Sequence, residues 1–291
     1  MTRLAAVLAL LALAAPRQAP PGPRRAGQRL AVFTATEYAF RGPAALPAGR
    51  TTLRLVNRGS QVHQGQLVRV GGGHSAEEAR QALAAGQGAG WLMPAGGFGA
   101  IAPGATGRVT LQLLPGPYVL YCALSTGDGR VHADLGMVFT FTVDDAAGAV
   151  AESASVLAVL TVSDFGFRFQ RTFRVRGRQL PIEARLLGTP LPPGEAAFEV
   201  ENLGPSPHEI QILRTDSTET VRGFADWLAG GQRGRSPGRP LGGTAALAPG
   251  MKVRVQLTLT PGTYWLYCPM RHRRTSRGFE VGEVSEFIVT R

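Results

Sequence analysis

The sequence predicts an all-β protein built as two tandem β-sandwich domains, and three observations predict it. Short runs alternate apolar and polar residues, as in Val109, Leu111 and Leu113 against Arg108, Thr110 and Gln112, the pattern of a strand with one face on a core and one in water. Glycine (38) and proline (21) are abundant in 291 residues, as many turns between short strands require. The chain also repeats itself: LRLVNRGSQVHQGQLVRV (53–70) matches FEVENLGPSPHEIQILR (198–214), and GGFGAIAPGATGRVTLQLLPGPYVLYC matches GGTAALAPGMKVRVQLTLTPGTYWLYC. Length alone predicts about two domains, and several strands per copy imply a β-sandwich or Greek-key barrel.

Taken in order, the chain opens with Arg3 and an apolar run, Leu4 to Ala15, ending in the small-residue pattern Ala12-Leu13-Ala14. This reads as a secretory signal peptide over 1–15, too short to span a bilayer, so the expected product is exported to the periplasm or beyond with no stable membrane insertion. Residues 16–28, rich in Pro, Gly and Arg, read as a disordered leader. The first domain is expected over 29–143. It holds a strand ending near Asn57, a strand beginning near His63, a short helix capped by Ser75, a Pro-Gly turn, a strand ending at Cys122, a polar loop, and a last alternating strand from Val138 to Val143. The small, acidic stretch 144–155 is the expected linker. The second domain is expected over 156–291, with a helix from Thr218 matching the first and an extra segment, QRTFRVRGRQLPIEARLLGTPL, that adds a hairpin.

The formal charge is +11 and almost all of the excess is arginine, Lys252 being the one lysine. The arginines are scattered, with no basic run and no aromatic-basic ladder, which speaks against nucleic acid and fits a soluble surface suited to an acidic protein partner. The two cysteines, Cys122 and Cys268, could form a disulfide in an oxidising compartment or serve as small core residues. Their equivalence in the two copies places them in separate cores and argues against the disulfide. A third reading comes from their neighbours. Cys122, His132 and Met137 share one loop between two strands, so a thiolate, an imidazole and a thioether suggest a soft-metal pocket, for which copper is the favoured ion. His63 is the candidate for a second imidazole.

These features resemble the cupredoxin family of blue-copper proteins: Asn-x5-His (Asn57, His63), then Tyr-x-x-Tyr-Cys (Tyr118 to Cys122), then His-x4-Met (His132, Met137) before the last strand. The resemblance covers both copies and is greatest to exported bacterial proteins with halocyanin- or plastocyanin-like domains. It implies a Greek-key β-sandwich and a mononuclear copper held by His63, Cys122, His132 and Met137, with Asn57 tying the His63 strand to the cysteine loop. It implies one-electron transfer or copper handling, with an acidic redox partner. Nine residues separate Cys122 from His132, more than in well-known blue-copper proteins. The second copy departs further: His208 and Cys268 remain, but Gly278 and Glu283 fall where His132 and Met137 stand, leaving His272 as the substitute ligand of a degenerate site.

Multicopper oxidases and copper nitrite reductases share a tandem plan but need additional imidazoles. This chain has five histidines, no His-x-His pair, and tyrosines (Tyr121, Tyr267) before its cysteines, so no enzyme is expected. Gly-x-Ser-x-Gly, phosphate-loop and Cys-x-x-Cys signatures are missing as well. The competing expectation is a metal-free binding or structural sandwich in which both sites are vestigial.

Overall fold

The computed structural model describes residues 30–85, 90–148, 156, 158–163, 166–175, 178–183, 190–215, 234, 236–270 and 282–290. The expected signal peptide and leader, His272, and the helix expected from Thr218 lie outside the described residues. The first half contains β1 (Leu30–Thr36), β2 (Ala39–Arg41), β3 (Ala45–Asn57), β4 (His63–Val70), α1 (Ala76–Ala84), β5 (Leu92–Ile101), β6 (Thr106–Leu113), β7 (Gly116–Tyr121) and β8 (Val138–Gly148). The second contains β9 (Ala158–Ser163), β10 (Gly166–Val175), β11 (Arg178–Glu183), β12 (Gly194–Asn202), β13 (His208–Thr215), β14 (Gly238–Leu247), β15 (Lys252–Leu259), β16 (Gly262–Cys268) and β17 (Gly282–Val289).

The described residues are all-β apart from one short helix, and each half is a two-layer sandwich. In the first, β1, β3 and β6 form one layer, and β5, β4, β7 and β8 the other. Strands β3 and β4, and likewise β5 and β6, belong to different layers, the Greek-key habit of crossing between sheets. The second half uses the same pairings: β9 parallel to β12, β12 against β15, β13 against both β14 and β16, and β16 against β17. The extra segment forms the expected hairpin, β10 pairing β11 from Gln170↔Glu183 to Val175↔Arg178.

Alternation puts Phe33, Leu53, Leu55, Leu67, Phe98, Val109, Leu111 and Leu120 between the layers of the first half. Phe33 touches Phe98, Phe139 and Phe141 edge-on or tilted, at centroid distances of 5.7–6.4 Å. The helix begins where Ser75 predicts, in a capping box with Glu78. It covers the outer face of β7 with Ala79 against Val70 and Val119.

Two expectations need adjusting. Of the linker expected over 144–155, residues 144–148 continue β8 by pairing with the start of β3 (Pro47↔Asp144, Gly49↔Gly148), and 149–155 lie outside the described residues. Nor does each half keep its own core. Val253↔Leu111, Arg254↔Thr110, Val255↔Val109 and Gln256↔Arg108 join β15 to β6, and Leu241↔Ile101 and Leu247↔Ala95 join β14 to β5. Both layers therefore run unbroken through the molecule, over one continuous hydrophobic cluster. The pairing is self-complementary about Val109/Val255: under the sequence repeat Arg108 corresponds to Arg254 and Thr110 to Gln256, so Arg254↔Thr110 mirrors Gln256↔Arg108, and Leu241↔Ile101 mirrors Leu247↔Ala95. Burying open edges in this way removes a liability of exposed strands.

Bulges at the seam depend on glycine. Gly97 (φ 108°) and Gly243 (φ 127°) hold left-handed backbone, and a Cβ would come within 2.2 Å of Gly65 O in one case and 2.0 Å of Ile210 O in the other.

Asn57 and Asn202 brace the loops leading to the two conserved-register histidine strands. Asn57 Nδ2 donates to Gln61 O (2.8 Å) and Ile101 O (2.9 Å), and its Oδ1 accepts from Gly59 N–H. Asn202 repeats this with Ser206, Leu247 and Gly204. Asn57→Ala and Asn202→Ala each leave buried carbonyls unsatisfied. Each is expected to lose about 1–3 kcal/mol in equilibrium denaturation, and an unchanged midpoint in either would contradict the brace.

Candidate metal centre

His63 starts β4, Cys122 follows the end of β7, and His132 and Met137 lie on the connection into β8. Folding that connection is the local problem, because nine residues intervene between Cys122 and His132. They close into a small hairpin. Ser125 bridges Val131, Thr126 N–H donates to Arg130 O (2.8 Å), and Gly129 (φ 91°) makes the turn. His132 N–H then donates to Leu124 O (2.8 Å) and Ala133 N–H to Cys122 O (3.1 Å), returning the imidazole to the thiol. The length of the loop is thus absorbed without displacing the ligand candidate.

Three donor atoms converge. Nδ1 of His63 lies 3.3 Å from Nδ1 of His132, and His132 Nδ1 lies 3.4 Å from Cys122 Sγ. All three ligand atoms fall within 4.8 Å of one another, and His63 and Cys122 are 0% exposed, His132 1%. A metal about 2.0–2.3 Å from nitrogen and sulfur needs a triangle with edges of roughly 3.5 Å, which the two edges at His132 match and which the 4.8 Å limit on the third accommodates. Met137 is fully buried beside them. Its N–H donates to His132 O (3.0 Å) and its carbonyl accepts from Cys122 N–H (3.2 Å), which fixes its backbone to both ligand candidates.

The surroundings were not foreseen from the sequence. Glu37, in the turn after β1, accepts from the N–H groups of Ser60 (2.5 Å) and Gln61 (3.0 Å) and lies 3.6 Å from His63 Nε2. A Cβ on Gly59 would press on both Glu37 Oε1 and His63 Nε2, so a side chain there would push the pair from its present place. Tyr38 sits edge-on to His132 with centroids 5.0 Å apart and accepts from Gln61 Nε2 (2.8 Å). Gln64 N–H donates to Cys122 Sγ (3.3 Å). Glu37 belongs to TATEY, whose only visible signal was its place in a repeated strand.

Electrostatics follow from burial. Burial pushes the Cys122 thiol up to about 11, against the hydrogen bonds of the Gln64 and Leu124 N–H groups. Burial, and then the neighbouring His63, press His132 down to about 4. Burial lowers His63 too, opposed by Glu37. Partial burial works against ionised Glu37, but the Gln61 and Ser60 N–H groups hold it down at about 2.

In the second half His208 and Cys268 are buried, and Glu209 N–H donates to Cys268 Sγ (3.5 Å) as Gln64 does to Cys122. His272 lies outside the described residues. Among those described, the group able to hold a metal is His63, Cys122 and His132. Cys122 and Cys268 are not joined in a disulfide, and no described helix is long and apolar enough to cross a membrane.

No protein-family model matches the chain, and no curated protein matches it. Among solved structures it is similar to a multicopper oxidase (13% identity over 90% of this chain and 89% of that one, TM-score 0.27). It is also similar to auracyanin from the photosynthetic bacterium Roseiflexus castenholzii (20%, 41% and 99%, 0.27). A third is the copper-containing nitrite reductase of Thermus scotoductus (13%, 90% and 62%, 0.26). Overlays at these scores carry no weight for function, which rests on the geometry above.

The metal-free protein holds both imidazoles below their ordinary 6.5. As pH falls the unfolded chain therefore takes up protons first. The stability due to neutral imidazoles is present above about pH 6.5 and is lost toward about pH 4. Thermal melts of copper-free protein are expected to show Tm falling through that window, and a flat or rising Tm would contradict the buried pair.

Proposed function

We propose that the chain is an exported copper protein of the cupredoxin type, holding one copper in its first half through His63, Cys122 and His132 with Met137. It would serve one-electron transfer or copper handling. The convergence of His63 Nδ1, His132 Nδ1 and Cys122 Sγ in a sealed pocket supports this reading. When bound, copper supplies a Cu(I)/Cu(II) couple, and two imidazoles with a thiolate suit both states.

The chain's own residues do the rest. The loop hairpin and the Met137 backbone fix the donors, so little reorganisation accompanies electron gain or loss. Gln64 N–H stabilises negative charge on Cys122 Sγ. With both Nδ1 atoms facing the centre, each ring proton is left to Nε2, and in His63 that atom faces the Glu37 carboxylate, an arrangement that orients a metal-binding imidazole. Glu37 and Tyr38 form the rim through which electrons would pass, and the basic surface suits an acidic protein partner. The second half, its His208–Cys268 pair included, is read as a degenerate copy that contributes packing.

Cu(II) added to the purified protein is expected to give an intense visible thiolate band. Cys122→Ser should abolish the band, while Cys268→Ser should keep it. No band with the native protein would favour the metal-free sandwich; tight Cu(I) binding without colour would favour copper storage. Glu37→Ala is expected to weaken copper binding roughly 10–100-fold in competition titrations, and unchanged affinity would remove Glu37 from the site.

A further inference from the structure

A cavity of about 440 Å³ opens along the seam, away from the three-donor cluster, and Arg108, Arg214 and Arg239 line it together with Thr106. Among the described residues no carboxylate makes an ion pair with any of these arginines. The acid among the described lining residues, Glu195, is exposed and accepts from the Thr258 hydroxyl.

The strand registers show that this charge is not repeated between the two halves. Arg214 lies directly opposite Arg239 on β13 and β14, whereas the matching pair of the first half is Arg69 and Met93. Arg108 lies opposite Arg54 on β6 and β3, whereas its counterpart Arg254 lies opposite Glu199 and pairs with it at 3.5 Å. Like charges placed directly across a sheet destabilise it. One such pair, Arg214 and Arg239, and one member of the other, Arg108, line the cavity. Arg214 Nη2 donates to Pro261 O (3.1 Å), but its Nε, like that of Arg54, is buried without a hydrogen-bond partner.

We propose that this cavity binds a small multivalent oxyanion, an organic phosphate or polycarboxylate, whose charge offsets the opposed arginines. Guanidinium groups grip such oxygens through paired, charge-assisted hydrogen bonds. A volume near 440 Å³ exceeds what a single inorganic ion fills and lies in the range of small-molecule pockets.

The test is calorimetric titration of copper-free, full-length protein with inorganic pyrophosphate and, separately, citrate at low ionic strength. Saturable binding at one site per chain is expected for at least one probe. The tighter of the two indicates whether phosphate or carboxylate oxygens are preferred. Arg239→Met, which restores the residue of the other half, should bind about tenfold more weakly. It should also melt at a higher temperature than the native protein without anion, since one opposed pair is gone. Arg41→Gln, on the exposed edge strand β2, should bind like the native protein. No saturable binding, equal binding by Arg239→Met, or an equal loss in Arg41→Gln would overturn the proposal.

Discussion

The first half is organised around three polar atoms that have been taken out of water and aimed at one another. An imidazole nitrogen facing another imidazole nitrogen at 3.3 Å can share at most one proton, and the thiol 3.4 Å away offers only a weak hydrogen bond. Burying such groups without good partners is costly. Both Nε2 atoms are also buried without hydrogen bonds. A cation at the centre of the triangle would satisfy all three donors at once, which no arrangement of protons does. The pocket is therefore better suited to an ion than to the hydrogen bonds it can make alone.

Everything near the pocket holds that arrangement in place. Asn57 fixes the approach to β4, the Leu124–His132 hairpin shortens a long loop, and Gly59 leaves room for Glu37 against His63. The seam contributes as well. Gln64, whose N–H serves Cys122, reaches across to Glu209, whose N–H serves Cys268, through a 2.6 Å hydrogen bond. Gln66 and Gln211 exchange equivalent bonds with the backbones of Ala246 (2.7 Å) and Ala100 (2.6 Å). Buried Glu209, pushed up to about 7 by burial against the bonds from Gln211 and Gln64, is held by one amide from its own half and one from the other. The two halves thus share polar groups as well as a core, and a change on one side of the seam is felt beside the cysteine of the other.

The sequence announced the strands well because their alternation is local: the 108–113 pattern and the Ser75 cap appear where expected. It also pointed to the residues that converge, since Cys122 and His132 lie on one connection and His63 stands at a repeated register. The loop between Cys122 and His132 looked too long by count, because a hairpin closed by Gly129 has the same reach as a shorter loop and counting residues does not show that. Glu37 was missed since its role depends on an approach from Ser60 and Gln61 over 20 residues away, with no periodicity to mark it. The seam was missed for a related reason. A strand that pairs with another copy shows the same alternation as one at a free edge, so β6 and β15 read as two edges instead of one joint.

The centre itself is tested most directly by X-ray absorption at the copper edge on the loaded, full-length protein. One short sulfur scatterer accompanied by two imidazole nitrogens, the sulfur lost in Cys122→Ser, is the result this structure predicts. A shell of nitrogen and oxygen alone, unchanged by that substitution, would mean that the three buried atoms do not hold the metal.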